Sequence, residues 1–211
     1  MREFIFRIIT SFVLISFLFL SFKYDNFFFT ILNITLIWSY YEYIQLIKKI
    51  KITKFLKNFS IYFAFLYLVF VSSYILINYD EIKNILFYFL IICICTDIGG
   101  LILGKTFKGK KLTKISPNKT YSGFYGSFIV SFLAMFFMSN YLNLNIFILI
   151  IFTFTVCLLS QLGDLFFSYL KRLSKVKDTG KILPGHGGIL DRVDGIIVSV
   201  PINILIYTIS I

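Results

Sequence analysis

NILFYFLIICICTDIGGLILG, residues 84–104, holds a single charged side chain, Asp97, in an otherwise apolar run. The hydrocarbon core of a bilayer is about 30 Å thick, and a helix rising about 1.5 Å per residue needs about 20 apolar residues to cross it. This stretch has that length and is followed by Lys105 and Lys108. It reads as a transmembrane helix. A carboxylate inside such a helix is costly beside lipid unless it is paired or meets a cation. Asp97 is therefore both a candidate ligand and a candidate buried ion pair.

Working outward, residues 4–22, 26–47, 59–78, 121–139, 141–162 and 189–211 are runs of the same character. The chain is 58% hydrophobic and 20% aromatic but only 15% charged. A typical soluble domain has about 25% charged residues, so lipid is the expected solvent for much of this surface. The sequence thus predicts an all-α fold, a polytopic integral membrane protein of about seven transmembrane helices. Leu20-Ser21-Phe22-Lys23-Tyr24 offers no small-residue cleavage site, so the first run is expected to stay as a helix rather than leave as a signal peptide. Arg7 within it can snorkel to the headgroups.

The loops carry a second pattern. Arg2 and Arg7 belong to the start; Lys48, Lys49, Lys51, Lys54 and Lys57 follow the second run; Lys105, Lys108, Lys110, Lys111, Lys114 and Lys119 follow the fourth; Lys171, Arg172, Lys175, Lys177, Lys181 and Arg192 follow the sixth. Of the 21 basic residues only Lys23 and Lys83 fall in the alternate loops, beside Asp25, Asp80 and Glu81. Basic loops stay on the cytoplasmic side, which predicts the N-terminus inside and the C-terminus outside in a bacterial-type inner (plasma) membrane. The same distribution removes the nucleic-acid reading that a net charge of +11 would invite and leaves the bilayer as the expected partner. Cys93, Cys95 and Cys157 lie in apolar runs and read as packed small residues, neither a disulfide framework nor a zinc site.

Polar features divide the chain. Residues 1–83 read as an N-terminal transmembrane scaffold, with Glu42 taken as structural or interfacial. Residues 84–211 carry the chemistry, on the cytoplasmic side. Asp164 ends Ser160-Gln161-Leu162-Gly163-Asp164; Asp191 and Asp194 open the last run in Leu190-Asp191-Arg192-Val193-Asp194-Gly195. Positions i and i+3 share a helix face, so Asp191 and Asp194 can address one centre. Carboxylates gathered among cations suit Mg²⁺ and a polyphosphate, because Mg²⁺ takes oxygen ligands and keeps waters and phosphates in its shell. The plainer alternative is local pairing with Arg192, Lys171 and Arg172.

Two further stretches bear donors. In Leu183-Pro184-Gly185-His186-Gly187-Gly188-Ile189-Leu190 the glycines lead into a helix, whose N-terminal N–H groups and dipole favour an anion; a tight re-entrant turn is the competing reading. His186, the one histidine, is a phosphate contact, a proton carrier or a hydrogen-bonded structural residue. Ser116-Pro117-Asn118-Lys119-Thr120 is a donor cluster before a span, or a helix N-cap with an inside-positive anchor.

Ser168-Tyr169-Leu170-Lys171-Arg172, then Lys177-Asp178-Thr179-Gly180, then Leu183 to Asp194, resembles the signature of the phosphatidate cytidylyltransferase (CDP-diacylglycerol synthase) family at nearly every fixed position. The Asp97 stretch, Ser116 to Thr120 and Ser160 to Asp164 resemble that family in the same order, over about residues 96–195. Ser122-Gly123 stands where the family usually has Glu-Gly. The resemblance implies an integral-membrane enzyme that transfers CMP from CTP to phosphatidate, giving CDP-diacylglycerol and pyrophosphate. It implies Mg²⁺ on Asp164 and Asp191, a companion K⁺, and Asp194 closing the motif. Lys171 and Arg172 would act with these carboxylates. Ser116, Lys119, Thr120, Lys177, Asp178, His186, Gly187, Gly188 and Arg192 would bind substrate. Asp97 is a further candidate, and a homodimer is compatible with the pattern.

Two polyanions repel, so the chemical task is charge neutralisation and in-line positioning. The nucleophile already carries charge, so no strong base is needed, and His186 is the better binder than base. The alternatives are CTP-dependent nucleotidyl or phosphoryl transfer to another membrane lipid, a cation-coupled transporter, and an inactive scaffold. A broken-helix transporter usually shows paired interruptions in two related halves, and no such pairing stands in this sequence.

Overall fold

The computed structural model describes residues 2–113, 115–117, 119–142, 144–180, 182 and 187–210, with side chains for Thr10 and from Phe12 onward. Its helices are α1 (Arg2–Lys23), α2 (Asp25–Lys49), α3 (Lys54–Phe107), α4 (Tyr121–Met138), α5 (Ile146–Leu173) and α6 (Leu190–Ser210), with a 3₁₀ turn at Ser139–Tyr141. Among the described residues the remaining pairing is an isolated bridge between Lys111 and Thr120, so the all-α expectation holds.

Local chemistry sets the ends. Tyr24 is extended and separates α1 from α2, which opens on Asp25 and closes on Lys48 and Lys49; each charge favours the helix dipole at its own end. After Phe107, Lys108 and Gly109 both take positive φ, 51° and 108°, and stop α3. Thr120 caps α4, its Oγ1 accepting from Gly123 N at 3.1 Å. Lys175, with φ 56°, turns the chain after α5.

Two sequence boundaries differ. Residues 79–83, expected as an outer loop between two spans, are helical inside α3. Tyr79-Asp80-Glu81-Ile82-Lys83 contains neither glycine nor proline, so hydropathy dips where nothing breaks the helix. The Lys83 ammonium also lies 5.6 Å from the Tyr79 ring one turn back. Likewise the run expected from residue 141 begins its helix at Ile146, after the 3₁₀ turn.

The chain forms two compact units: residues 1–78 with 170–193, and 79–169 with 194–211. The expected boundary near residue 83 is close to the first division, but residues 170–193 belong with the N-terminal unit. In that unit Tyr43 bonds Ser60 at 2.6 Å and Asn33 accepts from Ser72 at 3.4 Å, joining α2 to the start of α3. Ser174 Oγ donates to the Leu46 carbonyl at 3.1 Å, tying the stretch after α5 to α2.

The second unit is stitched by buried polar pairs. Tyr88 meets Thr153 at 2.6 Å, Thr96 meets Ser131 at 2.9 Å, Cys93 meets Ser199 at 3.0 Å and Thr155 donates to Asn203 at 2.5 Å. Lipid offers helices no hydrophobic reason to associate, so such bonds and close backbone packing do that work. At Gly99 a Cβ would stand 2.6 Å from the Gly126 carbonyl oxygen, which makes this glycine the condition of the α3–α4 approach.

Four helical stretches are long and apolar enough to cross a membrane: Lys54–Phe107, Tyr121–Tyr141, Ile146–Leu173 and Leu190–Ser210. Large apolar side chains such as Phe63, Leu66, Ile77, Phe136, Phe137 and Phe147 are exposed on them, as lipid contact requires.

Candidate active site

The N-terminal unit builds its polar centre on the start of α6. Asp191, in the first turn, is held on both oxygens. Oδ1 accepts from Lys171 Nζ at 2.7 Å. Oδ2 accepts from Thr179 N at 2.8 Å, Thr179 Oγ1 at 3.0 Å and Gly188 N at 3.0 Å. The Asp191 side chain is 6% exposed and that of Lys171 13%. Gly187 makes the approach possible twice over: its φ is +83°, and a Cβ there would lie 2.8 Å from Asp191 Oδ2.

A residue assigned to the scaffold completes this centre. Glu42, from the middle of α2, is 2% exposed. Its Oε2 accepts from Thr179 Oγ1 at 2.7 Å and Leu190 N at 2.8 Å, and its Oε1 from Ile189 N at 3.2 Å. The turn expected to present N–H groups to phosphate presents those of Gly188, Ile189 and Leu190 to Asp191 and Glu42. The sequence held one signal for this: Glu42 is the one acid within the apolar run 26–47, and a carboxylate in such a place needs partners.

The second unit holds the other motif carboxylate. Asp164, on α5, forms an ion pair with Lys119, at side-chain exposures of 31% and 26% respectively. Ser168 Oγ lies 3.5 Å from the other Asp164 oxygen, one turn along. Lys119 sits in a small loop closed by Leu112 N to Lys119 O at 2.8 Å and Lys119 N to Ser116 O at 3.0 Å. Ser116 N donates to Thr113 Oγ1 at 3.2 Å. Thr120, besides capping α4, meets Ser122 Oγ at 2.9 Å, and Ser122 donates to the Lys108 carbonyl. Ser122 thus closes the loop.

Asp194 is buried at 8% and accepts from Gly195 N at 2.9 Å. It lies where α5 and α6 come close, since a Cβ on Gly163 would meet the Asp194 carbonyl oxygen at 2.9 Å. Arg172, Lys177, Asp178 and Arg192 are exposed, as is Asp97. His186, with Pro184 and Gly185, lies outside the described residues.

The structure therefore joins Asp191 to Lys171, Thr179 and Gly188, with Glu42 facing the same Thr179 hydroxyl, and Asp164 to Lys119. Asp191 belongs to the first unit, Asp164 and Asp194 to the second. Among the described residues no three His, Cys, Asp or Glu side chains stand close enough together to hold a metal ion.

The Cytidylyltransferase family model matches residues 51–210. Proteins named phosphatidate cytidylyltransferase are similar over much of this span. That of Rickettsia bellii is 43% identical over 143 residues, covering 63% of this chain and 62% of the relative. That of Rickettsia felis is 45% identical over 127 residues, 56% of each. That of Staphylococcus epidermidis is 45% identical over 131 residues, 60% of this chain and 50% of the relative. The chain spans about half to three-fifths of the length of these relatives.

Proposed function

The chain belongs to the cytidylyltransferase family, and from that premise we propose that it is a phosphatidate cytidylyltransferase. It would transfer CMP from CTP to phosphatidate in the plasma membrane, with the site on the cytoplasmic side. The observation that carries this reading is the 43–45% identity to proteins of that name.

A phosphate oxygen of phosphatidate attacks the α-phosphorus of CTP; the new P–O bond forms as the bond to the β-phosphate oxygen breaks, and pyrophosphate leaves with its electron pair. The attacking oxygen is already anionic, so no residue must remove a proton from it. What the chain must supply is cationic surroundings and fixed geometry. Lys171 and Lys119 each stand against a carboxylate, and Arg172, Lys177 and Arg192 add positive charge at the exposed surface.

Mg²⁺ is assigned to Asp164 and Asp191 on the motif, with K⁺ as companion. Asp164 fits as a hard oxygen ligand, part-exposed and bonded to one ammonium. Asp191 already accepts from Lys171, Thr179 and Gly188, so it would hold the cation only by exchanging one of these partners. When bound, the cation would neutralise phosphate charge as pyrophosphate departs.

The basic loops support an N-terminus inside, a C-terminus outside and seven crossings; since α3 runs unbroken through 79–83, this topology requires the chain to turn back at Asp80, Glu81 and Lys83 in the membrane. Reporter fusions at residue 82 and at Ile211 should both read external; an internal signal at either reverses this topology.

The deciding assay is pyrophosphate release by the purified protein with phosphatidate, CTP and Mg²⁺, with and without K⁺. Release that needs phosphatidate, with labelled CMP appearing in lipid, is expected. Release only with another lipid phosphate moves the acceptor, and none with any lipid phosphate overturns the reading.

A further inference from the structure

Glu42 lies outside every motif that pointed to the reaction, on a helix otherwise read as scaffold. Its surroundings are nevertheless built to receive it. A Cβ on Gly180 would collide with Glu42 Oε1, and one on Gly188 with Glu42 Oε2. The carboxylate is thus seated between two glycines of the turn that leads into α6, and a Cβ at either position would force it to shift. The seated group takes the N–H groups of Ile189 and Leu190, so a charge from α2 neutralises the positive end of α6 from 147 residues away in sequence.

The connection to the motif runs through Thr179. Its hydroxyl lies 2.7 Å from Glu42 Oε2 and 3.0 Å from Asp191 Oδ2. A hydroxyl has one proton to donate, so the two carboxylates compete for it. The Thr179 N–H stays on Asp191 at 2.8 Å. Anchoring Thr179 therefore fixes the donor side of Asp191 and leaves its other oxygen to Lys171.

We propose that Glu42 is a positioning residue for CMP transfer: seated between Gly180 and Gly188, it locks the start of α6 and Thr179, and through them holds Asp191 against Lys171. This rests on the transferase reading above. The alternative is that Glu42 serves insertion and packing of α2 alone.

The test uses the full-length protein in detergent with phosphatidate and CTP. Glu42→Gln keeps the shape but must turn an amide N–H toward one of the three donors. Expected are normal yield of inserted protein, kcat lower by about tenfold to a hundredfold, the scale of a small misplacement at a reacting centre, and KM for both substrates within about threefold. Hydrogen exchange at the Ile189 or the Leu190 amide should accelerate in the same variant, because the carboxamide keeps one acceptor oxygen and the amide facing its NH₂ loses its own. Wild-type kcat, or unchanged exchange at both amides, overturns the proposal.

Should Glu42→Gln fail to insert, Thr179→Val decides. It leaves Glu42 on Ile189 and Leu190 and removes only the linking hydroxyl. A similar fall in kcat, restored by Thr179→Ser, is expected; an unchanged kcat in Thr179→Val overturns the proposal. If the wild type moves no CMP, the transferase reading falls by itself. Exchange at Ile189 and Leu190 in Glu42→Gln, or at Thr179 in Thr179→Val, then still judges the lock.

Discussion

Asp191 and Asp164 each face one lysine, yet the two centres are made differently. Around Asp191 the ion pair is buried, and three further donors from Thr179 and Gly188 meet the same carboxylate. Around Asp164 about a third of the side chain is open, and beyond Lys119 it meets Ser168 Oγ at 3.5 Å. A buried ion pair is tolerable only when the remaining lone pairs are satisfied, and breaking it strands a charge. A half-exposed pair can exchange its partner for water or for an arriving ligand at little cost. The first centre is thus organised before substrate arrives, and the second is the one whose partners can change.

The widest separation between them should appear on removing each lysine. Lys171→Met leaves Asp191 buried without its counter-charge and should cost about 3–5 kcal/mol. Lys119→Met should cost about 0–1 kcal/mol, because solvent already screens that pair. Thermal unfolding in detergent compares them directly. Equal losses would mean that burial does not distinguish the two centres.

The second comparison is kinetic. Asp164→Asn should insert and unfold like the wild type, yet lose about 10²- to 10³-fold in turnover, the scale seen when one charge-stabilising group leaves an active site. Asp191→Asn should lose turnover similarly and also lose stability, since Lys171 is then stranded. Near-wild-type activity per inserted Asp164→Asn molecule would leave that residue a surface ion pair.

How much of this was legible in sequence depends on the kind of signal. Every apolar run became helix, because about 20 uncharged residues leave the backbone few other ways to satisfy its hydrogen bonds in lipid. The break at 79–83 was misplaced because charge and hydropathy mark a membrane surface, whereas a helix ends only where backbone geometry stops it, as Lys108 and Gly109 do. The Asp191–Lys171 pair was legible as the plainer alternative of local pairing, which the structure shows, rather than from the motif. Glu42 as their supporter was not: its partners Thr179, Ile189 and Leu190 stand at least 137 residues away, and no local spacing encodes a contact of that range. The glycines were legible as necessary, but their occupant was not, since a turn that admits a phosphate admits a carboxylate equally well.

That ambiguity gives the third test. At Gly188 a Cβ would collide with Glu42 Oε2 and Thr179 Oγ1. Gly188→Ala should therefore destabilise the first centre by about 1–3 kcal/mol, the usual cost of overpacking. Glu42→Ala empties the space, so the added cost of Gly188→Ala should fall in that background. Full additivity would show that the glycine serves something other than Glu42.

The smallest effect belongs to the second centre, at Thr120. This residue was expected to touch substrate, and the structure uses its hydroxyl to cap α4 through Gly123 N while its neighbour Lys119 pairs with Asp164. Losing an N-cap costs about 1 kcal/mol, so Thr120→Val should lower the unfolding midpoint slightly and Thr120→Ser should restore it. The cap also fixes where Lys119 emerges, so the KM for CTP should rise in Thr120→Val and recover in Thr120→Ser in step with stability. A hydroxyl bound to substrate predicts a different pattern: KM would rise in Thr120→Val with the midpoint unmoved. Measuring both quantities on the two variants decides whether Thr120 reaches the substrate itself or only caps α4 beside Lys119.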